Sequence, residues 1–227
     1  MKDYKDLGGI TKLLKPETAG RLMQAGEVVN YTRGSVVFHK GGPGDSAMVV
    51  LSGTVKVWSM TRCGQEVIVA FMTPGTIMGE ISVLDGGSRT SSATCITDAH
   101  LFVIKAQDIM EIMDEDPGVA RMFAESAAKK FRESTMIAEA LRKNGRMRTM
   151  LALLRLSELV GHKTRDGIAI DLAVRQSDLA NYVGVSRSNF SRFLSELEQC
   201  GAINRDGHEI MTVNADVLRK LSHAESN

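Results

Sequence analysis

The sequence predicts an α+β protein with a strand-rich first half, a long central helix and a helical second half. From about Glu27 to Lys105, short β-like runs alternate with glycine-containing turns, a pattern typical of a sandwich or barrel. Between Pro117 and Lys143 no residue interrupts a helical pattern, and beyond Gly145 amphipathic helices alternate with short polar loops. The clearest β-like runs are residues 35–38, 47–51, 54–58, 66–71 and 99–104.

The composition is that of an ordinary globular protein. The chain has 227 residues, of which 43% are hydrophobic and 24% charged, enough for two modest domains with separate cores. The longest stretch without a charge, from Val67 to Gly79, is too short to cross a bilayer. The first residues contain no apolar segment typical of a signal peptide. We therefore expect a cytoplasmic protein without a membrane partner.

Positive charge is concentrated in the second half of the chain. Residues 1–119 have a formal net charge of −3, whereas residues 120–227 have +4. A basic half suits a polyanionic partner, although the asymmetry is small. The cysteines, Cys63, Cys95 and Cys200, show no C-x-x-C spacing, and the five histidines are scattered. We expect neither a disulfide framework nor a metal site.

The long central helix carries one apolar stripe. Its positions recur at spacings of three and four, and the rest of the helix surface is mostly charged. A seam between two copies of the chain would cover such a stripe, so we expect a homodimer. A helix that lies on its own β-domain is the alternative. The stripe consists of Val119, Phe123, Ala127, Phe131, Ser134, Ala138 and Leu141.

Residues 176–194 predict a helix-turn-helix. Ala180 allows two helices to approach closely, Gly184 permits a sharp turn, and Ser186 is a good N-cap for the second helix. The segment Asn144-Gly145, where both residue types tolerate left-handed backbone, is a candidate hinge before this domain. The apolar face of the second helix recurs at i, i+3 and i+4, in Phe190, Phe193 and Leu194.

The exposed face of this second helix has the residue types that read DNA. No acid lies between Ser186 and Ser195, and arginine and asparagine are the usual readers of guanine and adenine in the major groove. We therefore expect binding to double-stranded DNA; a helical hairpin with a solvated face is the alternative. A hairpin at residues 202–213 would form a wing, with Asn204, Arg205 and His208 available for phosphates. The predicted DNA-binding residues are Gln176, Ser186, Arg187, Ser188, Asn189, Arg192 and Arg205.

Residues 79–90, Gly-Glu-Ile-Ser-Val-Leu-Asp-Gly-Gly-Ser-Arg-Thr, form a second distinctive cluster. Glycines let backbone N–H groups approach an anion, and Arg89 can hold a phosphate through paired hydrogen bonds. The carboxylate of Glu80 can accept from a ribose hydroxyl. Their occurrence together in the strand-rich half predicts a phosphate-binding cassette.

With this cassette, the chain resembles the CRP/FNR, or catabolite activator, family of dimeric regulators over nearly its whole length. The matching segments are Gly34-Ser-Val-Val, Gly44-Asp45, Leu51-Ser-Gly53-Thr-Val, the cassette, the long helix and the helix-turn-helix. The resemblance implies a cyclic-nucleotide-binding β-roll at residues 1–116, a dimerisation helix at 117–144 and a winged helix-turn-helix DNA-binding domain at 145–227. It implies a transcription factor rather than an enzyme, with cyclic AMP or cyclic GMP as effector and no metal.

The resemblance also implies roles for individual residues. Glu80 would accept the ribose 2′-hydroxyl, and Arg89 would hold the cyclic phosphate with help from Thr90 and the Gly79 backbone. The other implied nucleotide-binding residues are Val69 and Ala70 on the pocket wall, and Ser134 and Thr135, which fall where cyclic-AMP-binding members touch the purine across the dimer.

Three positions leave the function partly open. Thr90 follows the cassette arginine, as in many relatives that bind cyclic GMP, so both nucleotides stay candidates. Arg187-Ser188 replaces the Arg-Glu of the best-known members, and the missing acid removes a contact to cytosine. Residues 162–167 lie where activating relatives touch RNA polymerase; a solvated connector is the alternative.

Other signals and activities would each need different residues or a further domain. The oxygen-sensing branch needs a cysteine cluster near the N-terminus, and the first cysteine here is Cys63. A haem-based gas sensor with His39 or Cys63 as ligand stays open. A constitutive DNA-binding protein is disfavoured by the Glu80 and Arg89 pair. A cyclic-nucleotide-regulated enzyme would need a catalytic domain, for which no chain remains.

Overall fold

The computed structural model describes residue 7 and residues 14–171, 174–206 and 210–225. The chain forms two compact units, and the division falls between Ser134 and Thr135, inside the long helix. The domain boundaries after residues 116 and 144 stay predictions. Within the described part of the chain, no helix is long and apolar enough to span a membrane.

The first unit contains two four-stranded antiparallel sheets, with strand orders β1-β8-β3-β6 and β2-β7-β4-β5. The five predicted β-like runs are confirmed as β2, β3, β4, β5 and β8. The strands are β1 (Gly26–Tyr31), β2 (Val36–Phe38), β3 (Ser46–Ser52), β4 (Val55–Met60), β5 (Glu66–Met72), β6 (Ile77–Met78), β7 (Ser92–Cys95) and β8 (Ala99–Lys105). The helices are α1 (Pro16–Ala25), α2 (Glu80–Asp85), α3 (Ala106–Glu115) and α4 (Pro117–Ala140), which continues past the division.

Two apolar clusters form the core of the first unit. One is drawn from both sheets and includes Val50, Val55 and Leu101. The other packs β3 and β8 against α1, α3 and the start of α4, and it includes Ile109 and Phe123. Full burial of such a side chain contributes about 1.5–3 kcal/mol. These contacts anchor the N-terminal half of the long helix to its own β-roll.

The apolar stripe of the long helix therefore divides into two parts. Val119 and Phe123 are buried in the core of the first unit, whereas Phe131 is 74% exposed and Leu141 56%. The interpretation of a helix on its own β-domain is confirmed for the N-terminal half, and the seam between two copies stays a prediction for the C-terminal half. The expected seam between two copies is limited to the exposed C-terminal half, because the N-terminal half is already covered by its own chain.

In its described residues, the second unit has a four-stranded antiparallel sheet with the order β11-β12-β10-β9 and four complete helices. The predicted wing hairpin is confirmed as β11 and β12, while residues 207–209, and with them His208, lie outside the described residues. The elements are α5 (Gly145–Val160), β9 (Gly161–Lys163), β10 (Ile168–Asp171), α6 (Gln176–Val183), α7 (Arg187–Gln199), β11 (Ile203–Asp206), β12 (Ile210–Val213) and α8 (Ala215–Ala224).

The segment before α5 differs from the expected left-handed hinge. Asn144 has φ −65° and caps the helix, because its side-chain oxygen accepts a hydrogen bond from the Met147 N–H at 2.8 Å. Gly145 is the first helical residue. A Cβ there would lie 2.9 Å from the Phe193 ring and 3.1 Å from the side chain of Val185. Close packing of α5 on α7, and not backbone freedom, therefore requires this glycine.

Candidate effector pocket and DNA-reading surface

The cassette is folded around two glycines with left-handed backbone. Gly79 has φ +78° and Gly86 has φ +67°, and they bracket the short helix α2. A Cβ at Gly79 would lie 2.3 Å from Nη1 of Arg89. Both the backbone conformation and the space available therefore require glycine at position 79.

Arg89 is buried, with only 3% of its surface exposed. Its Nη1 donates to the Gly79 carbonyl at 3.2 Å, and its Nη2 donates to the Ser46 hydroxyl at 2.9 Å. The guanidinium also lies 3.6 Å from a carboxylate oxygen of Asp45 and 4.6 Å from the ring centroid of Phe38. Burial lowers the pKa of Arg89, and the nearby carboxylates oppose this shift. Its Nε has no hydrogen-bond partner among the described atoms, which suits an incoming anion.

Glu80 lies beside this arginine and is also buried, at 1% exposed. Its Oε2 accepts a hydrogen bond at 2.7 Å from Nζ of Lys130, which also donates to the Ile77 carbonyl at 2.6 Å. Burial lowers the pKa of Lys130, and the Glu80 carboxylate opposes that shift. The other oxygen of Glu80, Oε1, is buried without a partner among the described atoms. One carboxylate oxygen is thus fixed, and the second is ready to accept from a ligand.

Lys130 is a residue of this site that the sequence alone does not predict. It lies on α4, 50 residues from Glu80 in the chain, so only the fold brings the two together. A signal was present in the helical spacing. Position 130 lies three residues after Ala127 and four before Ser134, at the edge of the apolar stripe, where a lysine is unexpected.

The remaining predicted nucleotide-binding residues have less defined surroundings. Val69 and Ala70 are half-buried on β5. A β-bulge lies beside them, because Val57 pairs with Ala70 while the next residue of β4 pairs with Ile68. Thr90 is exposed next to the buried Arg89. Ser134 and Thr135 are exposed on α4, about one turn beyond Lys130.

The helix-turn-helix is formed as predicted. Gly184 has φ +74°, and its N–H donates to the Ala180 carbonyl at 2.9 Å, which closes α6 and opens the turn. Ser186 caps α7, since its hydroxyl accepts a hydrogen bond from the Asn189 N–H at 3.2 Å. The predicted buried face of α7 is confirmed in Phe190, Phe193 and Leu194.

The side chains predicted to read DNA are exposed together at the N-terminal end of α7. They are Ser186, Arg187, Ser188, Asn189 and Arg192, while Gln176 is half-buried at the start of α6. This group includes two arginines and no acid, so its exposed surface carries hydrogen-bond donors and positive charge.

Arg205 in the wing, which the sequence predicts to be available for phosphates, is hydrogen-bonded to an acid of α7. Its guanidinium donates two hydrogen bonds to Oε2 of Glu198, one of them from Nε at 3.1 Å. It also donates to the Ser195 hydroxyl at 3.4 Å, and its backbone N–H donates to Oε1 of Glu198 at 3.3 Å. These bonds hold the pKa of the Glu198 carboxyl below its usual range. Arg205 thus joins β11 to α7.

A buried arginine and carboxylate in a β-roll, followed by a winged helix-turn-helix, define a transcription regulator that senses a small ligand. Residues 28–116 match the model of the cyclic nucleotide-binding domain, and residues 147–221 match the Crp-like helix-turn-helix domain. The chain belongs to the CRP/FNR family of transcription regulators.

Known relatives cover nearly all of the chain. It is 25% identical over 213 residues to the CRP-like cAMP-activated global transcriptional regulator of Mycobacterium tuberculosis, across 93% of this chain and 95% of that one. It is 29% identical over 193 residues to the cyclic AMP receptor protein of Thermus thermophilus, across 85% and 86% of the two chains. The solved structure of FixK2 from Bradyrhizobium japonicum has the same fold, with a TM-score of 0.79 and 22% identity across 86% of this chain and 96% of that one.

The described residues offer no cluster for a metal ion. No group of three or more histidine, cysteine, aspartate or glutamate side chains is placed to hold one in this part of the chain. His39 and Cys63, the candidate haem ligands, are not part of such a group. The expected absence of a metal and of an enzymatic activity stays a prediction.

Proposed function

We propose that the protein is a homodimeric cytoplasmic regulator that binds a cyclic nucleotide in each β-roll and in response binds a two-fold symmetric DNA site. The cassette carries this proposal. Arg89 and Glu80 are buried side by side, and each keeps one polar atom without a partner in the described residues. Unsatisfied buried polar groups each cost about 1–3 kcal/mol, so a ligand that satisfies both is favoured.

A cyclic nucleotide matches the two groups. The cyclic phosphate would bind the guanidinium of Arg89, with the Gly79 backbone and Thr90 beside it. The ribose 2′-hydroxyl would donate to Oε1 of Glu80, whose other oxygen is held by Lys130. Val69 and Ala70 would form the wall of the same pocket.

The long helix would carry the signal. Lys130 connects the ribose site to α4 of the same protomer, and Ser134 and Thr135, one turn further, would contact the purine across the dimer. A ligand shifts a conformational equilibrium only if it binds the DNA-competent state more tightly. Contacts to α4 would supply such a difference, because this helix leads to the DNA-binding domain.

Titration with cyclic AMP and cyclic GMP side by side tests the effector. The names of the Mycobacterium and Thermus relatives favour cyclic AMP, while Thr90 keeps cyclic GMP as a candidate. We expect calorimetric binding of at least one nucleotide and an increase in DNA affinity of about 5- to 150-fold, the usual range of allosteric coupling. Binding of neither nucleotide would refute the proposed effector. Unchanged DNA affinity at saturation would indicate a constitutive DNA-binding protein.

The proposed operator follows from the exposed end of α7. Two copies of α7 in a symmetric dimer would read half-sites about one helical turn, roughly 34 Å, apart. Arg187, Ser188, Asn189 and Arg192 would contact base edges. Because the hydroxyl of Ser188 is shorter than a glutamate side chain and carries no negative charge for cytosine N4, the preferred sequence should differ from that of members with Arg-Glu.

RNA polymerase is a further proposed partner. Residues 161–171 form a hairpin of β9 and β10, in which Thr164 and Gly167 close a tight turn with a 2.8 Å backbone hydrogen bond. Lys163 and Arg165 are exposed on this hairpin. We expect Lys163→Ala/Arg165→Ala to reduce transcription in a reconstituted assay while DNA affinity stays at the parent value. Lys220→Ala, an exposed change on α8, is the control. Weaker DNA binding by the double variant would contradict a polymerase contact.

A further inference from the structure

Glu196 joins two arginines that come from different helices. It lies on α7, one turn after Arg192, and its Oε1 is 3.6 Å from Nη1 of that arginine. Its Oε2 is 3.3 Å from Nε of Arg146, in the first turn of α5. Arg146 is held in turn by an ion pair with Glu225, at the end of α8. The carboxylate is therefore fixed from the α5 side and presents its other oxygen to Arg192.

Arg192 is accessible but restrained. Its side chain is 61% exposed, yet its guanidinium has a neighbour on three sides. Nη2 lies 3.4 Å from the side-chain oxygen of Asn189, and Cζ lies 4.8 Å from the ring centroid of Phe193. Glu196 is the third neighbour. Together these contacts favour one direction of the guanidinium relative to the axis of α7.

An arginine can serve two purposes on DNA. Bound to a phosphate it contributes equally to every sequence, and bound to a guanine edge it discriminates between sequences. A neighbouring carboxylate repels phosphates and competes with them for the guanidinium. The same carboxylate leaves donors of the guanidinium available for a base edge and reduces the orientations that the side chain samples.

We infer, on the basis of the DNA binding proposed above, that Glu196 is a specificity-determining residue that acts through Arg192. It lowers the use of Arg192 on phosphates and so lowers affinity for non-specific DNA. Arg146 positions Glu196 for this role. The chain thus has no acid at the reading positions of α7 and places its first one, Glu196, where it restrains a reading arginine.

The test compares Glu196→Gln with the parent on two duplexes. One is an operator selected from a random-sequence library by the parent, and the other is a scrambled duplex of the same length. We expect the affinity for scrambled DNA to rise about two- to fivefold, the size of an exposed ion pair, and the ratio of specific to non-specific affinity to fall. Glu158→Gln is the matched control, because it removes the same charge from an exposed position on α5, 3.9 Å from Arg219.

A second pair of variants shows whether Arg192 mediates the effect. In an Arg192→Ala background, Glu196→Gln should change non-specific affinity no more than Glu158→Gln does. Arg146→Gln, like Glu196→Gln, should lower the ratio of specific to non-specific affinity. If Glu196→Gln lowered the affinities for the operator and for the scrambled duplex by the same factor, Glu196 would have a structural role, and the inference would be overturned.

The proposed function and this inference fail in different ways. If the parent selects no operator from the library, DNA recognition itself is refuted, and the role of Glu196 falls with it. If the parent selects an operator but Glu196→Gln changes the two affinities no more than Glu158→Gln does, the proposed DNA binding is supported and the specificity role of Glu196 is wrong. Thermal unfolding of each variant confirms that the domain remains folded.

Discussion

Arg89→Ala should abolish binding of cyclic nucleotides. The side chain is buried at 3% exposure, and its guanidinium donates to the Gly79 carbonyl at the start of the cassette. Removing one partner of a buried charged hydrogen-bonded pair costs about 2–5 kcal/mol or more, which corresponds to a loss in affinity of roughly 30- to 4,000-fold. Isothermal titration calorimetry with the nucleotide that the parent binds measures this loss.

Two further variants show whether the loss is specific to the phosphate. Arg62→Ala removes the same charge from an exposed turn and should leave the affinity unchanged. Glu80→Ala should weaken binding less than Arg89→Ala, because it removes a hydrogen bond to the ribose and not the counter-charge of the phosphate. Parent-like affinity in Arg89→Ala, with the fold intact by circular dichroism, would show that the cassette is not the binding site.

Phe131→Ser should dissociate the proposed dimer. The ring is 74% exposed in the single chain, on the half of α4 whose apolar stripe is not covered by the β-roll. Truncation of a central aromatic in an interface typically costs about 2–4 kcal/mol, a rise of roughly 30- to 700-fold in the dissociation constant of the dimer. The affinity for a symmetric operator should fall when the dimer dissociates, because a monomer reads only one half-site. Sedimentation equilibrium and DNA titration measure the two effects.

Met110→Ser is the matched control for the dimer. Met110 is also exposed and apolar, at 41%, but it lies on α3 and outside the stripe. We expect it to leave both the dimer and the DNA affinity at parent values. A Phe131→Ser protein that remains dimeric would place the interface elsewhere. The exposed apolar residues of α4 would then have to be covered by a different partner.

The local elements of this protein follow from its sequence. Glycines and prolines mark the turns between strands, and the positions of the five predicted β-like runs agree with the strands because strand patterns have a short period. The helix-turn-helix is predicted down to its N-cap, Ser186, and its buried face, since caps and i, i+3, i+4 spacing depend only on near neighbours. The cassette is visible in the sequence for the same reason, because Gly79, Glu80 and Arg89 lie within eleven residues.

The tertiary structure decided the pairings between distant residues. Lys130 reaches Glu80 across 50 positions, and the hydrogen bonds of Glu198 to Arg205 join a helix to the wing. It also decided which half of the stripe on α4 is covered, because Val119 and Phe123 pack on strands that are remote in the chain. Periodicity shows that a face is apolar but not what covers it, and residue type shows a charge but not its partner. Those depend on distances that arise only when the chain has folded.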